Sequence, residues 1–179
     1  MGSFELHILC AEEVKAYTRP MSVHIDSHDL DVYINECEQL HIIPAIGYEV
    51  FKTIVEERTL PEEAISLDVI VNGGEWVEEK GCGKKVLNYC QGLKAALSYF
   101  VYARCLKADG SMVARTGLVR HNDSYASQVD RREKISQYNE VMDVAECYLS
   151  SCMRYLNYAK KDKVKDVRST RCRIKAIGV

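Results

Sequence analysis

Ile42-Ile43-Pro44-Ala45-Ile46-Gly47-Tyr48-Glu49-Val50-Phe51 joins two helical patterns and sets the fold class. Upstream, Leu30, Ile34, Cys37 and Leu40/His41 recur at helical spacing and form one apolar stripe. Asp26 or Ser27 is placed to cap that helix, and Asp29 and Asp31 suit its positive end. Pro44 reads as a break followed by a restart, because its missing N–H is tolerated in a first helical turn. Downstream, Ile46, Val50, Ile54 and Val55 continue an apolar face beside Tyr48 and Phe51. The stretch is a tight helix-to-helix joint, and no catalytic residue type is concentrated in it.

Outward from the joint, the same reasoning gives a mainly α chain: a bundle of about four to five helices. Residues 1–25 read as an irregular N-terminal arm, with a short strand over Phe4 to Leu9 and a helical turn or two over Ala11 to Tyr17. Residues 26–160 form the helical domain. Pro61 opens a helix over Glu62 to Val71 that stops at Asn72-Gly73-Gly74, and Gly74 to Lys85 reads as a loop or small hairpin around Trp76. Asn88 to Lys107 is apolar on nearly all sides and is expected to be the central helix. A last helix runs from about Asp130 to Ala159, with Ile135, Tyr138, Val141, Met142, Ala145, Tyr148, Leu149, Cys152 and Leu156 inward.

Ser111 to Gln128 reads as one long polar loop, and loops of that length are uncommon unless they have a role. Arg115, Arg120, Asp123 and Tyr125 are its candidate contact residues. The tail, residues 161–179, is a basic extension; counted from Lys160 it holds 8 basic residues against 2 acidic ones. Its Arg171-Cys172-Arg173-Ile174-Lys175-Ala176-Ile177 alternates basic and apolar, the period of a strand with one buried face. A lone strand needs an edge to pair with, in this chain or another copy. Arg168, Arg171, Arg173 and Lys175 are therefore the candidate inter-subunit or partner contacts.

The net charge of −2 hides a polarity. Residues 1–100 hold 8 Lys+Arg against 17 Asp+Glu, and residues 101–179 hold 16 against 9. Such asymmetry permits head-to-tail complementarity between copies, or contact with an acidic partner such as nucleic acid. No run of about 18 apolar residues exists, so a membrane span is not expected. The first residues lack the layout of a signal peptide, because Glu5, Glu12 and Glu13 interrupt them.

Catalytic chemistry finds little footing. The eight cysteines are scattered without a C-x-x-C pair, which argues against a structural zinc site, and those within helical stretches read as small hydrophobes. Gly81-Cys82-Gly83-Lys84-Lys85 lacks the spacing and the Ser/Thr of a phosphate loop. His24 and His28 flank a helix entry and read as solvent-facing. The expectation is no catalytic residue, no metal and no cofactor.

Three segments, in order and spacing, resemble the head–tail connector (adaptor) proteins of tailed phages, in the version found in phages and prophages of gut bacteria. They are Leu40 to Phe51, Val71-Asn72-Gly73-Gly74 followed by Gly92 to Arg104, and Thr116-Gly117-Leu118-Val119 with Asn122 to Ser127, leading into Tyr138-Asn139. Thr116 departs from the pattern, which carries an Arg followed by an aromatic near that glycine. The resemblance covers roughly residues 26–159. It implies a non-enzymatic virion protein that forms a homo-oligomeric ring, a dodecamer, beneath the capsid portal. Its implied partners are the portal, a tail or second connector protein, and non-specifically the DNA passing through the channel. The competing reading is a helical nucleic-acid-binding or regulatory module.

Overall fold

The computed structural model describes residues 7–21, 25–56, 66–80, 84–108, 111–114, 117–120 and 131–159. It is mainly helical, as expected, with two small antiparallel hairpins. Helix α1 (Ala11–Tyr17) begins at Cys10, whose backbone N–H donates to the Glu13 carboxylate. Helix α2 (Ser27–Cys37) is capped by Asp26, which accepts from the His28 N–H at 3.0 Å. Both starts follow from an acidic group placed where helix N–H groups lack partners.

Pro44 does not break the helix. Cys37, Glu38, Ile42 and Ile43 all hold right-handed helical backbone, so α2 continues through a π-helical turn, Glu38–Ile42, into α3 (Ile43–Ile46). In the π-turn the Ile43 N–H reaches back five residues to the Glu38 carbonyl. A proline ring inside an α-helix collides with the carbonyl four residues earlier. The wider turn placed just ahead of Pro44 gives its ring room, so the chain passes the proline without reversing. The break comes three residues later at Gly47, with φ +88°. Helix α4 (Tyr48–Val55) restarts from it, burying Phe51 and Ile54.

Helix α5 (Leu67–Asn72) starts at Ser66, whose hydroxyl accepts from the Val69 N–H. The Ser66 N–H itself donates to the Tyr155 hydroxyl, 89 residues away, at 2.9 Å. The expected helix over Glu62 to Val71 is thus seen from 67; its start, with Pro61, lies outside the described residues. Strands β1 (Gly74–Lys80) and β2 (Lys84–Cys90) then form an antiparallel hairpin in the register Gly74↔Cys90 to Lys80↔Lys84. This corrects the expected helix start at Asn88, because the chain stays extended through Cys90.

Helix α6 (Leu93–Ala108) is the central helix, as its composition indicates. Leu93, Ala95, Ala96, Leu97, Ser98, Phe100, Val101 and Ala103 are all buried. It is packed by α1, α2, α5 and the long last helix α7 (Arg131–Ala159). The alanines let these neighbours approach closely, while Phe100 and the leucines fill the space between them. Ile8, Leu9, Ala11 and Val14 join this core, so the described part of the N-terminal segment is packed rather than loose, and residues 7–10 form no strand.

Helix α7 runs antiparallel to α6: Cys152 lies at the start of α6, by Cys90, and Tyr138 lies near its end, with Lys107 Nζ 5.8 Å from the ring centroid. At about 1.5 Å per residue, 29 residues outreach 16 by roughly 20 Å. Val141, Ala145, Cys152 and Leu156 are buried as expected and Tyr155 joins them, but Ile135 falls past the end of α6 and is half exposed.

Candidate functional site

Of the eight residues singled out in the sequence, only Arg120 falls among the described residues. It ends strand β4 (Gly117–Arg120), which pairs with β3 (Ser111–Ala114) in the register Ser111↔Arg120. The stretch 111–128 is therefore not loop throughout, since its first part is a hairpin. Arg115, Asp123, Tyr125, Arg168, Arg171, Arg173 and Lys175 lie outside the described residues, as do the tail and the strand expected in it.

The structure assembles a different surface, the β1–β2 hairpin. Strand alternation sends Trp76 inward, where it is buried and meets Tyr155 edge to face, ring centroids 5.3 Å apart and planes at 62°. The Tyr158 hydroxyl donates to the Val77 carbonyl at 2.9 Å, a second tie from α7 to β1. The opposite face of the ribbon carries the cross-strand pair Val77↔Leu87 and the pair Glu75↔Tyr89. Val77 is 46%, Leu87 63% and Tyr89 55% exposed. Apolar residues standing together on an outward face of a firmly anchored ribbon favour contact with another protein surface. The signal was present in Val86-Leu87-Asn88-Tyr89, a β-favouring run between glycines. Its last residues, from Asn88, lie close to the helical pattern of Leu93 onward, which is why the helix is expected to begin at Asn88.

A second constellation lies at the π-turn. Glu38 is almost wholly buried, and its carboxylate accepts from His7 Nδ1 at 2.7 Å and from the Ile8 N–H at 2.9 Å. One turn on, the His41 ring lies flat on Phe100, centroids 4.2 Å apart and planes at 2°. Burial, assisted by the positive Arg104, holds the His41 pKa below its usual value, so the ring stays neutral near pH 7. Cys37 and Cys105 are likewise pushed up by burial, to about 12 and about 11, and remain protonated thiols. These groups tie the N-terminal segment to the π-turn and to α6. They are an anchor, with each acceptor matched to a protein donor.

A cleft of about 390 Å³ opens beside them, lined by His7, Ile8, Ile54, Leu67, Asp68 and Lys94 among others. Its volume is of ligand size, but its polar groups are turned to one another. Asn72 donates to Asp68 at 2.7 Å, Lys94 pairs with Glu13 at 2.5 Å, and His7 is held by Glu38. The Lys94 contact holds Glu13 below its usual pKa against the opposing effect of burial. Among the described residues no three His, Cys, Asp or Glu side chains group as metal ligands, and no helix is long and apolar enough to cross a membrane.

Residues 42–172 match a family described as a family of unknown function, DUF6712. No curated protein and no solved structure matches the chain.

Proposed function

The chain belongs to the DUF6712 family of unknown function, and we propose that it is a structural assembly subunit of a tailed-phage head–tail connector. In this reading it forms a ring beneath the portal, joins capsid to tail around the DNA channel, and carries no catalytic site. The observation that carries the proposal is the outward face of the β1–β2 hairpin. Val77, Leu87 and Tyr89 stand exposed on a ribbon whose other face is fixed to α7. An apolar face held in place in this way suits a repeating contact with a neighbouring copy. The charge polarity of the chain, acidic over 1–100 and basic over 101–179, suits a heterologous contact, which closes into a ring where the rotation allows. The resemblance of three segments to connector proteins adds the portal to this proposal as partner.

The test is the solution mass by light scattering, for the protein alone and mixed with its portal. A closed multimer, or a monomer that becomes one on the portal, supports the reading. Leu87→Glu is expected to shift that multimer toward monomer with helicity unchanged by circular dichroism. Neutralising Arg168, Arg171, Arg173 and Lys175 together is expected to weaken it as well. A monomer that ignores the portal and binds duplex DNA with a steep salt dependence would favour the nucleic-acid-binding module instead.

A further inference from the structure

The last residue of β2, Cys90, lies against Cys152 of α7 with their sulfurs 3.4 Å apart. Both residues are fully buried, and both thiols are reduced in this structure. Two sulfurs in van der Waals contact need to approach by only about 1.4 Å to reach the roughly 2.05 Å of a disulfide. The two positions are 62 residues apart in the chain and belong to different elements, so a bond between them would close a long loop. The surroundings are polar as well: the Ser151 hydroxyl accepts from the Gln91 N–H at 3.4 Å and donates to the Tyr148 carbonyl at 2.7 Å.

We propose that Cys90 and Cys152 are a disulfide-forming pair, a modification site whose reactant is a small peroxide. The inference does not depend on the connector reading. The two thiols are not equivalent. The Cys90 thiol donates to the Cys152 sulfur. Contact with Cys152, the Gly92 N–H and Ser151 draw the Cys90 pKa below the usual thiol value, whereas contact with Cys90 and burial push Cys152 up. Cys90 is taken to attack first; the reverse order gives the same disulfide and the same two waters. The Cys90 thiolate attacks one peroxide oxygen; the S–O bond forms, the O–O bond breaks, and the departing hydroxide takes up the proton Cys90 released, leaving as water. Cys152 then attacks the resulting sulfenic sulfur; the S–S bond forms, the S–O bond breaks, and hydroxide leaves with the Cys152 proton as a second water. Each sulfur gives up one electron, and the peroxide accepts two.

Burial sets the choice of reactant and the rate. A peroxide is close to water in size and can reach a buried pair that a bulky disulfide such as oxidised glutathione cannot, so closure is slow and selective. Cys37 and Cys105, held as protonated thiols by burial, have no comparable route. The product would pin the base of the hairpin covalently to α7, beneath the exposed Val77, Leu87 and Tyr89. In a thiol-buffered cytosol the pair stays open, and in an oxidising compartment it closes.

The test uses the full chain, reduced, desalted and treated with hydrogen peroxide, then unfolded in excess iodoacetamide and digested without reductant. Mass spectrometry is expected to find the Cys90 and Cys152 peptides joined, and the join to be absent from Cys90→Ser and Cys152→Ala. The oxidised wild-type protein is expected to melt on the order of 10 °C above the reduced one. Recovery of both residues as alkylated free thiols after peroxide, or joined to other cysteines, would overturn the proposal.

Discussion

Two bends in this chain rest on glycine with nearly the same backbone, and they are unlike in every other respect. At Gly47, φ is +88° and a Cβ would meet nothing within 4 Å. At the foot of the β1–β2 hairpin, Gly73 and Gly92 have φ +93° and +88°, and their backbones press on each other. A Cβ on Gly92 would lie 2.5 Å from the Gly73 nitrogen and 2.6 Å from the Val71 carbonyl oxygen. The first glycine is required by its own dihedral angle. The second pair is required by a crossing, where the chain enters the hairpin from α5 and leaves it into α6. The same residue type thus answers a local demand in one place and a tertiary demand in the other.

The largest effect should separate the two. Gly92→Ala is expected to cost about 4 kcal/mol or more in urea unfolding, because the clash is with backbone that no side-chain rotation can relieve. Gly47→Ala should cost only about 1–2 kcal/mol, the strain of a positive φ without a clash. Equal losses at the two positions would mean the crossing is looser than described.

Between these lies the anchor at the π-turn. Glu38→Ala removes the acceptor from the buried Ile8 N–H and from His7, and is expected to cost about 3 kcal/mol. Amide exchange at Ile8 should quicken with it, and Glu38→Gln should recover part of the loss. No change at Ile8 would detach the N-terminal segment from the joint.

A smaller effect is pH-dependent. The folded His41 pKa lies below the ordinary imidazole value of 6.5, so below about pH 6.5 the unfolded chain takes up a proton that the folded one resists. Stability is fully present above pH 6.5 and falls as pH drops through the window beneath it. The slope contributed by this one group is at most about 1.4 kcal/mol per pH unit. His41→Phe keeps the stack on Phe100 and should remove that contribution. Glu13, lowered from 4.5 by Lys94, contributes stability that is lost only at lower pH, as the pH falls below 4.5 toward its folded value. The smallest change should be Pro44→Ala, within about 1 kcal/mol, since Pro44 is exposed and the π-turn already accommodates it.

The sequence was most legible where neighbours in the chain do the work. Ala11–Tyr17, the Asp26 cap, the burial of Leu30, Ile34 and Cys37, the all-round apolar α6 and the extent of α7 are each written in residues a few positions apart. Legibility failed where a local signal has two readings. Pro44 signals a helix start, and here a widened turn lets the helix run through it. Lys84 to Cys90 is a short apolar run next to a helical one, and only its pairing with β1 marks it as strand. Ile135 shares its stripe with Val141 and Ala145, but α6 is too short to cover it. The interface residues read from the sequence lie outside the described residues, apart from Arg120. The exposed apolar face of Val77, Leu87 and Tyr89 is a separate surface that the sequence did not single out, because these residues become neighbours only when the ribbon pairs.

The sequence by itself therefore determined that this is a mainly α chain, that Asp26 caps its second helix, and which stripe of that helix is buried. Those outcomes depend on periodicity and capping, which act within one or two turns. Tertiary structure alone decided that Gly73 and Gly92 cross, that Cys90 meets Cys152, and that Glu38 is buried against His7. Each of these depends on contacts between residues 19 to 62 positions apart in the chain. No local preference encodes such contacts, because they form only when packing around α6 brings distant segments together.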